Sequence, residues 1–123
     1  MDQQSRRKNP RVPVSCTVHL RQIDLNELAG KMYNLSIGGF GLRTNYPISI
    51  AERLTVTFQL PETIGLVSGL AQVVWRQFHG DTPGDEKTLF TAGIEFLSLS
   101  KPSRKAVRDC VRMSVSQVKH PPA

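Results

Sequence analysis

The chain has 123 residues, a formal net charge of +6, 39% apolar residues and 21% charged residues. That length suits a single domain, and the composition excludes wholesale disorder and a collagen-like repeat. No apolar run nears the roughly 20 residues that cross a bilayer as a helix, and Lys31, Arg43, Arg53 and Arg76 interrupt the apolar stretches.

The first ten residues, MDQQSRRKNP, are basic but lack the apolar core of a signal peptide. Two cysteines, Cys16 and Cys110, allow one bridge. A Cys-poor chain without an export signal is expected to be cytoplasmic and reduced. The charge is uneven. Residues 1–11 carry four basic groups and one acid, residues 101–119 carry six and one, and the stretch between carries six and eight. Basic ends of this kind attract phosphates.

Taken in chain order, alternation begins at Val12, Val14, Cys16, Val18 and Leu20, a half-buried strand with its even positions inward. Pro13 favours an edge position or the first ladder sites of that strand. A second strand is predicted over Ala29–Leu35, stopping at a Ser-Ile-Gly-Gly turn, and a short third one over Phe40, Leu42 and Thr44. Leu54, Val56, Phe58 and Leu60 mark a fourth strand closed by Pro61. The fifth runs from Val67 to Phe78, with Val67, Ala71, Val73 and Trp75 on one face and Leu70 and Val74 on the other. After a long polar loop, HGDTPGDEK, the last strand covers Thr88–Phe96 with Phe90, Ala92, Ile94 and Phe96 on one face.

The period then changes to three and four. Ala106, Val107, Cys110, Val111, Ser114 and Val118 predict an amphipathic helix over about 100–118, with Ser100 as its cap. Arg104, Arg108 and Arg112 form an i,i+4 basic stripe. Such a stripe is either solvated or met by an acidic surface, so it is a candidate face for a protein partner, expected to lie away from any ligand motif. Five or six antiparallel strands and one helix are expected to close as a small all-β barrel, with the helix plugging or flanking it.

Catalysis has thin support. His19, His79 and His120 are scattered, and no carboxylates are paired at a fixed spacing. Cys16 and His19 stand three apart on a strand, so they face opposite ways and lack further metal ligands. No enzyme activity, metal or resident cofactor is expected.

Two polar clusters remain: Arg6-Arg7-Lys8-Asn9-Pro10-Arg11 before the first strand, and Asn34-Leu35-Ser36-Ile37-Gly38-Gly39 at the second turn. Singly, the first reads as a solvated tail and the second as an ordinary turn. Together they complement each other. Arginine offers a planar fork for phosphate or for the O6/N7 edge of guanine, and a flat face for stacking. The turn offers N–H groups, the Ser36 hydroxyl and the Asn34 amide, and two glycines that permit positive φ and close approach.

These clusters resemble the motifs of the PilZ family, the bacterial cyclic-di-GMP receptor domains. Arg7-Lys8-Asn9-Pro10-Arg11 is similar to its R-x-x-x-R arm, with Arg6 as an extra leading arginine, and Asn34-x-Ser36-x-x-Gly39 to its [D/N]-x-S-x-x-G turn, with Gly38 also common there. The Val73-Val74-Trp75-Arg76 strand, the late Gly93-Ile94-Glu95-Phe96 strand and the terminal helix extend the likeness over most of the chain. The resemblance implies a six-stranded antiparallel barrel with a C-terminal helix. It divides the chain into an arm (1–11), mobile until a ligand orders it, a barrel domain (12–118) and a tail (119–123). It implies second-messenger signalling, with cyclic-di-GMP bound by Arg6, Arg7, Arg11, Asn34, Ser36, Gly38 and Gly39, and Trp75 near the ligand. Asn34 stands where many members carry Asp, and Asn offers guanine N–H groups a single neutral acceptor. The implied output is a conformational change read by a downstream protein. The competing readings are an adaptor that works by protein contacts with weak or no nucleotide binding and, with little aromatic support, a single-stranded nucleic-acid binder. The sequence leaves the oligomeric state and the partner open.

Overall fold

Strand β1 (Val12–Arg21) alternates inward Val12, Val14, Val18 and Leu20 with outward Pro13, Ser15, Thr17 and His19. In the computed structural model, which describes residues 11–61, 64–79 and 89–119 (side chains to residue 114), five further strands follow. They are β2 (Glu27–Ser36), β3 (Gly39–Thr44), β4 (Arg53–Leu60), β5 (Gly65–His79) and β6 (Leu89–Leu99). They close antiparallel in the order β1-β2-β3-β6-β5-β4, the barrel expected from the period-two patterning. The arm residues 1–10, most of the polar loop (80–88) and the end of the tail (120–123) lie outside the described residues.

The seam of the barrel is short. β1 pairs with β4 only from Val18 to Arg21, whereas it pairs with β2 from Val12 onward. Pro13 therefore sits where β1 has one ladder neighbour, which suits a residue with no N–H to donate. Helix α1 (Lys101–Lys119) packs chiefly on β5, with smaller contacts to β2, β1 and β4. Ala106, Val107, Cys110 and Val111 enter the same core as Leu35, Phe40, Phe58 and Leu60. Rings of Phe40, Phe58 and Phe96 lie 5.5–6.3 Å apart within it.

Local chemistry fixes where α1 begins. The Ser100 hydroxyl accepts from the Ser103 N–H at 3.3 Å, and the Ser100 carbonyl accepts from the Arg104 N–H at 2.9 Å. Such a cap is worth about 1 kcal/mol. Buried Ser103 in turn accepts from the Ser68 N–H of β5 at 3.1 Å, tying the first turn of the helix to the sheet.

Candidate functional site

The turn between β2 and β3 is a two-residue hairpin, Ile37-Gly38, closed by the pair Ser36 and Gly39. Neither glycine has positive φ; among the described residues the glycine in that region is Gly65. The expected use of conformational freedom is thus replaced by two different needs. At Gly39 a Cβ would collide with the carbonyl of Ile94, so glycine is what lets β3 lie against β6. At Gly38 a Cβ would meet nothing within 4 Å, so that position faces open space. Ser36 is 8% exposed and donates its hydroxyl to the Gly39 carbonyl at 3.3 Å. It holds the shape of the turn instead of presenting a free hydroxyl.

Asn34 stands on the outer face through a β-bulge. Met32 pairs with Leu42 and Asn34 with Gly41, so Tyr33 is the extra residue. A bulge re-aims side chains, and here Tyr33 and Asn34 both lean over Gly41, where a Cβ would strike either one. The Arg43 guanidinium lies 4.8 Å from the Tyr33 ring centroid. The Asn34 Oδ1 accepts from the Gly41 N–H at 2.8 Å and from the Arg11 guanidinium at 3.2 Å. Two N–H donors converging on one atom identify it as the oxygen. That acceptor, expected to meet guanine N–H groups, is already engaged; the group Asn34 has left to offer is its NH2, which suits an acceptor such as guanine O6 or N7.

β5 repeats the device. Val73 pairs with Ile94 and Trp75 with Gly93, leaving Val74 as the extra residue. The bulge breaks the expected parity: Val73 is buried, whereas Trp75 is 39% exposed and not in the core with it. Its indole covers Gly93, where a Cβ would collide with the ring. Gly93 is itself the partner of Gly41 on β3. One cross-strand row therefore runs Asn34, Gly41, Gly93, Trp75, an amide and an indole flanking two adjacent glycines. Tyr33, Gly41 and Arg43 were missed in the sequence, because only the bulge register brings them beside Asn34.

Beside the turn, a groove of about 910 Å³ is lined by Ile37, Gly38, Phe96, Leu97, Leu99 and the α1 side chains Lys101, Arg104, Lys105 and Arg108. The expectation that the basic stripe lies away from the ligand motifs is thereby corrected for Arg104 and Arg108; Arg112 is not part of the lining. Arg11 and Asn34, one residue from each predicted cluster, are in contact. Arg6 and Arg7 lie outside the described residues.

The sequence matches the family profile described as the PilZ domain over residues 5–113. The chain belongs to the PilZ family. The fold of this PilZ domain is similar to that of "PilZ domain with c-di-GMP of YcgR from Escherichia coli", at 17% identity and TM-score 0.71, covering 93% of this chain and 95% of that one. It is also similar to the K. pneumonia MrkH–c-di-GMP complex (15% identity, TM-score 0.73, 93% of this chain and 53% of that one). A third likeness is to the Bacillus subtilis Inhibitor of motility, MotI/DgrA (21% identity, TM-score 0.65, 90% and 52%). The chain spans about half the length of the MrkH and MotI chains, and 48% of the longer YcgR chain. No curated protein matches it.

Among the described residues no group of three His, Cys, Asp or Glu side chains is placed to hold a metal ion, and no helix is long and apolar enough to cross a membrane. Cys16 and Cys110 are not joined in a disulfide. Burial pushes the Cys16 thiol above its ordinary value of 9.0, the nearby Cys110 adds to the rise, and Lys31 opposes it. A raised folded-state pKa keeps the proton on Cys16 while the unfolded thiol ionises, so this group's contribution to stability falls as pH climbs past about 9. Iodoacetamide should accordingly alkylate Cys16 more slowly at pH 8 than it does a free cysteine. An equal or faster rate would place Cys16 in a different environment.

Proposed function

We propose that this domain is a non-enzymatic bacterial receptor for cyclic-di-GMP, acting in the cytoplasm, and that its arm and turn close on the ligand together. The observation that carries the reading is the hydrogen bond from Arg11 to Asn34, because it joins the R-x-x-x-R arm to the N-x-S-x-x-G turn. The c-di-GMP complexes of YcgR and MrkH, which share the fold, support the choice of ligand.

In this reading the Arg7 and Arg11 guanidinium groups grip a phosphate or a guanine edge, with Arg6 adding charge, and the Asn34 amide meets the guanine acceptor edge. Ser36 and Gly39 hold the turn in shape, Gly38 leaves room for the ligand, and the Trp75 indole borders it. The arm, residues 1–11, orders on the barrel, residues 12–118, and a protein partner reads the change. The exposed Leu66, Leu70 and Val74 of β5 offer an apolar surface for such a partner, which also keeps the adaptor reading in play. Calorimetric titration decides between them. Saturable binding of cyclic-di-GMP with none of GMP supports the receptor, and no heat with cyclic-di-GMP supports the adaptor.

A further inference from the structure

From the groove beside the turn we infer that α1 supplies a second set of ligand contacts, with Arg104 and Arg108 holding the phosphodiesters of the cyclic dinucleotide. This rests on the receptor reading and deepens it, because the residues concerned lie outside both motifs.

The groove has the composition of a nucleotide site. Its floor is apolar, built from Ile37, Phe96, Leu97 and Leu99, with Ile37 and Leu97 45% and 39% exposed. One wall is Gly38, where no side chain obstructs approach. The other is cationic. The β3–β6 ladder ends at Gly39 opposite Glu95, and the Phe96 N–H reaches the Gly38 carbonyl at 2.9 Å, so β6 residues 97–99 have no β3 partner and the groove opens there.

The cations differ in their engagement. Lys105 donates to Asp109 at 2.7 Å, and that bond holds the Asp109 carboxyl below its ordinary value. Arg104 and Arg108 are exposed and, among the described residues, have no carboxylate within ion-pair distance. Like charges four apart on a helix repel, so a ligand with two negative phosphodiesters relieves a cost that the free protein carries. The arginine forks match phosphate oxygens, and their flat faces stack on bases. Ile37 and Gly38, which line the groove, follow Asn34 by three and four residues on the same hairpin, so the groove borders the turn. An acidic peptide would satisfy the charge but has no use for the adjoining Asn34 amide.

Cyclic-di-GMP is titrated into wild type, Arg104→Gln/Arg108→Gln, Arg104→Lys/Arg108→Lys and Arg112→Gln, each at low and high salt. The glutamine pair should weaken binding about tenfold or more and flatten the salt dependence, with a melting temperature of the free protein no lower than that of wild type. The lysine pair, which keeps the charge but loses the fork, should fall between the two and decides the matter if the glutamine pair folds poorly. Arg112→Gln, on the same helix but outside the groove, should stay within about twofold of wild type. Wild-type affinity in the glutamine pair overturns the inference and leaves the groove to a protein partner. An equal loss in Arg112→Gln overturns it as well, by reducing the effect to general charge. No binding by wild type overturns the receptor reading itself.

Discussion

Gly39→Ala should cost about 3 kcal/mol of folding stability, at the upper end of what overpacking a close contact costs. The added methyl has nowhere to go. It would collide with the Ile94 carbonyl, and the next nearest atoms are also β6 backbone, so no flexible side chain can give way. Relief requires β3 to separate from β6, and that ladder runs from Gly39–Glu95 to Thr44–Phe90. It carries Phe40 and Leu42 into the core, both fully buried. Gly38→Ala, one residue earlier, should change stability by less than about 0.5 kcal/mol, because its methyl would point into open space. Urea denaturation of the two variants checks the contrast. Equal midpoints would mean that β3 and β6 are not packed as closely as this. The pair also separates two meanings of a glycine-rich turn: Gly39 serves the barrel, and a side chain at Gly38 would meet open space.

Arg7→Ala and Arg11→Ala should each remove 2–5 kcal/mol of cyclic-di-GMP binding, on the order of thirtyfold or more in Kd. The magnitude follows from leaving a buried ligand charge without its partner, which exceeds the worth of the contact in water. Loss of the Arg11 bond to Asn34 should by itself cost the free protein about 1–2 kcal/mol, at or below the lower end of the loss in binding, because Asn34 Oδ1 keeps its bond from the Gly41 N–H. Calorimetry and thermal melts on both variants test this. Wild-type affinity in either variant removes that arginine from the site, and a large drop in melting temperature would make Arg11 a structural residue.

The barrel was legible because its signal is strict alternation. β1, β4 and β6 were readable from Val12–Leu20, Leu54–Leu60 and Phe90–Phe96, and the helix from the switch of period at Ser100. Bulges were not legible. An extra residue at Tyr33 or Val74 leaves no mark in composition, yet it turns Trp75 out of the core and sets Tyr33 beside Asn34. The cross-strand row of Gly41 and Gly93 depends on register between β3 and β6, which no local pattern encodes. The two motifs gave Arg11 and Asn34 as candidates, but their contact is a tertiary fact. The helix stripe was read as a separate surface because sequence reveals which residues share a face and not what that face lies next to.

A single residue, Ser100, separates the end of β6 from the start of α1, and its hydroxyl and carbonyl are both spent on the helix cap. Such a junction has no slack to act as a hinge, and the Ser103–Ser68 bond clamps the helix a second time. The barrel and helix therefore behave as one stiff body. What the body can change is its electrical appearance. A dianion seated between the turn and the helix would convert a basic flank into a near-neutral one, so a partner could sense occupancy by charge while the backbone beneath it stays still.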